Sequence, residues 1–286
     1  MHNRKMKKIQ SRSVKLLTVL IVFMISLIFV FPFLWMVSAT LQPISELMKI
    51  PPNMIPKNIS LKSYFTLDQL SGNNFNYYRF YFNSVAVAVV TTITQVLFAT
   101  MAGYGFSRFR FKGSGAIFML LLSGMMVPVQ VIAIPLYMFY AKLHLTNTLL
   151  GLILPGASNV FGMFLFRQSF VTLPKDMEEA AYIDGASTMR TFFSIVLPEV
   201  KSTMAAFVII AFNNSWNSYF LPLILASKPA SMTLPVGITM LKNVYSSADY
   251  SVLFAGVVLA ILPIFVLFLF FQKYFIAGLS AYAIKG

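Results

Sequence analysis

The sequence predicts an all-α integral membrane protein with six transmembrane helices and both termini in the cytoplasm. Three observations lead there. First, the 286-residue chain is 58% hydrophobic, with a mean hydropathy of +0.77. Only 10% of it is charged, against roughly 25% in a soluble domain, so these residues cannot build a water-facing surface. Second, six long runs carry no charge. Third, the basic residues are unevenly shared between the two sides such runs would define.

The charge-free gaps place the helices in order. No Lys, Arg, Asp or Glu lies between Lys15 and Glu46, Arg79 and Arg108, Lys112 and Lys142, Lys142 and Arg167, Lys201 and Lys228, or Asp249 and Lys273. Each gap accommodates the about 20 residues a helix needs to cross the bilayer. Lipid offers no partner to an open sheet edge, so the spans must be helical. They are expected near 16–37, 83–105, 116–140, 147–166, 203–225 and 251–272. A basic N-terminus, 1–15, precedes the membrane domain, 16–275, and a cytoplasmic tail, 276–286, follows it. The outer segments 38–82 and 226–250 are long, and so is the inner segment 167–202.

With the N-terminus inside, fifteen of the 22 basic residues fall in inner segments, six of them before the first span. This bias sets the orientation. The basic start and first apolar run imitate a signal peptide with Val37–Ser38–Ala39 as its cleavage site. The run is too long for a signal core and five more spans follow, so it reads as a retained helix. A bacterial-type plasma (inner) membrane is the expected location.

Composition also excludes chemistries. The chain has no cysteine, hence no disulfide, thiolate metal site or thiol nucleophile. The two histidines, His2 and His144, are far apart in sequence, and no metal site or catalytic cluster is expected. The net charge of +14 would suggest nucleic acid for a soluble chain. Here membrane topology accounts for it, and no nucleic-acid partner is expected. There is no G-x-x-x-x-G-K-[ST] loop, so the chain cannot hydrolyse ATP by that route. No span contains an acid or a base. Ion-coupled carriers commonly place one at the midplane, whereas a neutral, hydroxyl-rich solute suits an uncharged path.

The acids gather in one place. Of eight, five lie between Asp176 and Glu199. Pro174 suits a first helical position, and Asp176, Glu178 and Glu179 then complement the helix dipole. Asp184–Gly185 ends that helix through a left-handed glycine, and Ser187 caps a second one. Met189, Phe192, Phe193 and Val196 form one apolar stripe at helical spacing, and Pro198 is expected to stop the helix. On the residues alone, a solvated amphipathic loop and a protein-docking surface both fit.

The spacing Glu179–Ala180–Ala181, three residues, Gly185, nine residues, Ile195, one residue, Leu197–Pro198 resembles the EAA loop of ABC importer permeases. Further stretches are similar to the carbohydrate branch, the maltose-type second permease: Ala102–Lys112, Val127–Gln130, Ile134–Tyr137, Trp216–Asn217 with Pro222–Leu223, and Gln272–Gly286. Departures are His144 and Tyr282 where glycine is usual, and Gly105 where alanine is usual. The resemblance implies a permease subunit, not an enzyme, of an ATP-driven sugar importer. Its EAA coupling helices would dock on a separate ATPase dimer, which holds ATP and Mg; this chain would hold no cofactor. Glu179, Ala180, Ala181, Asp184, Gly185, Ile195, Leu197 and Pro198 would form that contact, and Ala283–Gly286 would reach the same dimer. A related second permease and an extracytoplasmic sugar-binding protein complete the implied assembly. Its alternatives are a permease for peptides, polyamines or metals, and a stand-alone channel.

Span five carries Phe212-Asn-Asn-Ser-Trp-Asn-Ser-Tyr219. Amides beside Trp216 and Tyr219 suit a sugar, and Asn213 and Asn217 share a helical face. Interhelical hydrogen bonding is the competing use of such amides. Gln130 between Pro128 and Pro135, and Asn159 after Pro155–Gly156, mark expected kinks along the same path.

Overall fold

The computed structural model describes residues 2–51, 53–69, 75–245 and 250–283. Among them every regular element is helical, as an apolar chain requires when backbone groups must bond within their own segment. Packing divides the chain into two units.

The first unit comprises Met1–Leu70 and Leu241–Leu259. Helix α1, His2–Thr40, continues past the expected first span at both ends. Among the described residues, none in its most apolar window is buried. Short helices α2, Ile44–Leu47, and α3, Lys62–Gln69, follow. The Glu46 carboxylate accepts from Asn58 Nδ2 at 2.6 Å and thereby closes the turn between them. Thr40 Oγ1 and Tyr64 Oη lie 3.0 Å apart.

The second unit comprises Ser71–Met240 and Ala260–Gly286. It is organised on α4, Tyr77–Arg108, whose first turn is capped by Asn76 accepting from Arg79 N at 2.9 Å. Helices α5, Ser114–Gly124, α6, Val129–Lys142, α7, Leu149–Ile153, and α8, Val160–Val171, come next. The segment 167–202 holds α9, Asp176–Ile183, α10, Thr188–Thr191, a π turn, Phe192–Val196, and α11, Leu197–Glu199. Then come α12, Lys201–Trp216, and α13, Phe220–Leu225. Helices α14, Leu234–Tyr245, and α15, Tyr250–Ala283, run across the boundary between the units.

Helix α4 lies along α8 and α12. Small residues make this possible. A Cβ on Gly103 would fall 2.9 Å from the backbone N of Arg167 and 3.0 Å from the carbonyl of Met163. One on Gly162 would fall 2.3 Å from the Phe207 ring, which is fully buried. Around these contacts Tyr104, Phe166, Phe170, Phe192 and Phe207 form the core of the unit.

Among the described residues, three helical stretches are continuous, long and apolar enough to cross a membrane: Val14–Thr40, Tyr77–Arg108 and Tyr250–Lys273. Three more pass only as bent pairs: Ser114–Gly124 with Val129–Lys142 at 95°, Leu149–Gly156 with Val160–Val171 at 44°, and Thr188–Glu199 with Lys201–Leu225 at 83°. Counting each pair as one gives up to six spans by length and composition, but the 83° bend of the last pair falls at Val200, so the expected fifth span, 203–225, corresponds to the Lys201–Leu225 part alone. The differences are local. The third span breaks once, ahead of Pro128; α6 runs through Pro135 without interruption, although a kink was expected there. Proline removes one backbone donor and restricts the residue before it, and at Pro128 both effects fall at a helix start. The fourth span continues to Val171, beyond the expected 166, after a 3₁₀ turn at Leu154–Gly156. The fifth does not run unbroken to 225, because α12 ends at Trp216 and Asn217–Tyr219 separate it from α13.

Candidate functional site

The inner loop folds as two short helices at a glycine. Pro174 lies one residue before the α9 N-cap, Lys175, rather than at the first helical position. Asp176, Glu178 and Glu179 occupy the first turn. Gly185 takes φ +78°. Gly185 N donates to Tyr182 O at 3.0 Å and Ala186 N to Ala181 O at 2.9 Å, the bond pair of a Schellman ending. Ser187 then caps α10 by accepting from Arg190 N.

The apolar residues do not form the single stripe their spacing predicts. Phe192 and Val196 are buried, whereas Met189 and Phe193 are 57% and 48% exposed. Pro198 does not stop the helix either; it continues to Glu199 and turns at Val200. Pro198 has no N–H for the carbonyl four residues earlier. The five-residue π turn at Phe192–Val196 immediately precedes it and widens the helix there. Glu179, Ala180, Asp184 and Gly185 are exposed, Ala181 is buried, and Ile195, Leu197 and Pro198 are half-buried.

Glu178 points the other way from Glu179. It is 6% exposed. Its carboxylate accepts from Tyr104 Oη at 2.8 Å and from Arg108 Nε at 2.5 Å. Arg108 NH2 also donates to Leu173 O at 3.1 Å. Nearby, Arg167 Nε donates to Phe106 O, and its guanidinium lies 4.4 Å from the Phe118 ring centre.

The residues expected along the path separate into two groups. Asn213 and Asn217 are exposed and joined: Asn217 Nδ2 donates to Asn213 O at 2.9 Å and to its Oδ1 at 3.0 Å. Tyr219 is exposed beside them, and Gln130 is exposed on α6. Trp216 is 3% exposed. Its ring lies parallel to Phe212 and edge-on to Tyr81, and its Nε1 donates to Ala260 O at 3.1 Å. In this conformation it has no free face for a sugar ring, and it anchors the end of α12. Asn159 is a cap, accepting from Gly162 N at 2.9 Å, while its Nδ2 donates to Gln95 Oε1.

A cavity of about 150 Å³ is lined by other residues of the same stretch, Asn214, Ser215 and Ser218, together with residues of α4. Its polar lining includes Ser84, Thr91, Gln95, Asn214, Ser218 and Thr233, with no charged group. Gln95 Nε2 donates to Gly156 O at 2.7 Å. The hydroxyls of Thr91 and Thr233 are buried without a protein partner. Such a space, polar and with orphan hydroxyls, is suited to water or another neutral hydroxyl.

A family model described as "binding-protein-dependent transport system inner membrane component" matches residues 95–280. The chain belongs to this family. It is 38% identical over 265 residues to the arabinooligosaccharides transport system permease protein AraQ of Bacillus subtilis, covering 92% of this chain and 93% of that one. It is 32% identical to the lactose transport system permease protein LacG of Rhizobium radiobacter, covering 87% and 89%. A crystal structure of a bacterial ABC transporter involved in the import of the acidic polysaccharide alginate contains a chain of the same fold. The TM-score is 0.77 at 22% identity, with 92% of this chain and 97% of that one covered.

In this inner membrane component, sequence reasoning missed the inward carboxylate and its partners. In the sequence Glu178 reads as one more dipole-compensating acid. A usable signal was present: Tyr104 and Arg108 lie four apart at the end of a span, hence on one helical face. The cavity had a signal too. Ser84, Thr91 and Gln95 are spaced by seven and four, a polar stripe within an apolar helix.

Proposed function

We propose that this inner membrane component forms half of the translocation pathway of an ATP-driven, binding-protein-dependent importer for a neutral sugar or oligosaccharide. The observation that carries the coupling half of this reading is the two-sided inner loop. Phe192, Val196 and Glu178 face the membrane domain, while Glu179, Asp184, Met189 and Phe193 are left outward. An exposed face combining acids and apolar side chains is suited to a cleft on another protein. Its partner on this reading is a separate ATPase dimer, which holds ATP and Mg. A second permease supplies the other half of the path, and a binding protein delivers solute from outside. Both termini lie in the cytoplasm. The last residues, 284–286, expected to reach the ATPase, lie outside the described residues.

The sugar assignment is supported by the names of the relatives and by a cavity whose lining carries no charged group. Asn213, Asn217, Tyr219 and Gln130 are the side chains proposed to line the path, with Asn159 and Trp216 holding its walls. Copurification in mild detergent from native membranes tests the reading. Recovery of an ATPase, a second permease and a sugar-binding protein is the expected result. A chain recovered alone would refute it and favour a stand-alone channel.

A further inference from the structure

The buried pair Arg108–Glu178 is a poor device for stability alone. Taking both charges out of water costs about as much as their attraction returns, and apolar residues of similar size commonly serve as well. What the pair supplies is a directional contact. Its side chains are 8% exposed each, and Tyr104 Oη fixes the second carboxylate oxygen. Arg108 simultaneously holds Leu173 O, so one guanidinium grips both the end of the segment after α8 and the first turn of α9.

Helix α4 extends this contact. It is 32 residues long, about 48 Å at 1.5 Å per residue. The same helix carries Tyr104 and Arg108 near one end and, farther along, presents Gln95, Thr91 and Ser84 to the polar cavity from a different face. Against α8 the helix has no slack at Gly103, where a single added carbon would meet backbone.

Resting on the coupling-loop reading above, we propose that Arg108, Glu178 and Tyr104 are the positioning residues that transmit motion of α9 to α4. Glu179 and the exposed face engage the partner, and Glu178 converts displacement of α9 into displacement of α4. Loss of the joint leaves α9 able to dock but disconnected from the cavity.

The test uses the assembled importer in proteoliposomes, reading ATPase recovery, ATP hydrolysis and solute moved per ATP. Glu178→Gln and Arg108→Gln are expected to retain the ATPase but move about tenfold less solute per ATP, a loss within the usual span of coupling free energies. The double exchange Arg108→Glu with Glu178→Arg is expected to restore much of that ratio, which a purely structural role does not demand. Tyr104→Phe removes one bond and keeps the ring; about a twofold to fivefold loss in the ratio is expected. It serves where the charge variants do not fold. An unchanged ratio in Tyr104→Phe, or in the single charge variants, overturns the proposal. Glu179→Lys separates the two readings. If it leaves ATPase recovery and hydrolysis intact, the docking assignment itself fails. If it abolishes them while the Glu178 variants leave the ratio untouched, only the joint fails.

Discussion

Gly103 and Gly105 stand two residues apart in α4 and offer a controlled comparison. Replacing either by alanine gains the same helix propensity, about 1 kcal/mol per glycine removed from a helix interior. A Cβ on Gly105 meets nothing within 4 Å, whereas one on Gly103 meets Arg167 N and Phe166 Cβ at 2.9 Å and Met163 O at 3.0 Å. Two of these are backbone atoms and the third is the stem of a fully buried ring, so no flexible side-chain end can swing aside. The helices must separate by several tenths of an ångström, as in other overpacked cores, at a cost of about 1–3 kcal/mol. Because the propensity term cancels, the difference between Gly103→Ala and Gly105→Ala is the steric cost itself. Thermal or denaturant unfolding of the purified chain in one detergent measures it. Gly105→Ala is expected to be neutral to stabilising, since its Cβ meets nothing within 4 Å. Gly103→Ala is expected to fall below it by that 1–3 kcal/mol. Equal stability of the two variants would refute the close α4–α8 approach.

Other substitutions test single contacts. At Gly185, φ +78° with open space around a Cβ makes backbone conformation the only local constraint. Gly185→Asn should therefore keep the turn and most transport, and Gly185→Val should cost about 1–2 kcal/mol and abolish uptake; Gly185→Asp should also abolish uptake, by placing charge on the docking face. His144 is exposed with φ +55°, so His144→Gly should raise the unfolding free energy by up to about 1 kcal/mol once glycine's entropy is deducted, read as a higher unfolding midpoint. Asn217→Ala removes only an exposed amide pair and should lower uptake while the complex copurifies intact; loss of the complex would assign the amide to helix contacts instead. Gln95→Leu removes the partners of the half-buried Gly156 O and Asn159 amide and should cost about 0.5–1.5 kcal/mol in unfolding experiments.

Much of this molecule follows from local features of its sequence. Charge-free runs name the spans, since bilayer thickness sets their length independently of what they pack against. Gly185 and Ser187 mark the loop's turn, since a left-handed residue and a capping hydroxyl are demands of the backbone over a few residues. The EAA spacing points to the family for the same reason: it is read along one stretch of chain. Tertiary structure decided which way side chains face and what they meet. Glu178 and Glu179 are adjacent and chemically alike, yet one is held inside by Tyr104 and Arg108, more than 65 positions earlier in the chain, while the other is left outward. Trp216 looked like a solute platform until Phe212, Tyr81 and Ala260 were seen to enclose it. Asn159 looked like a path residue until Gly162 and Gln95 claimed both ends of its amide. A side chain's type fixes what bonds it can make, but its partner is chosen by helix packing, and residues distant in sequence bring that partner into place.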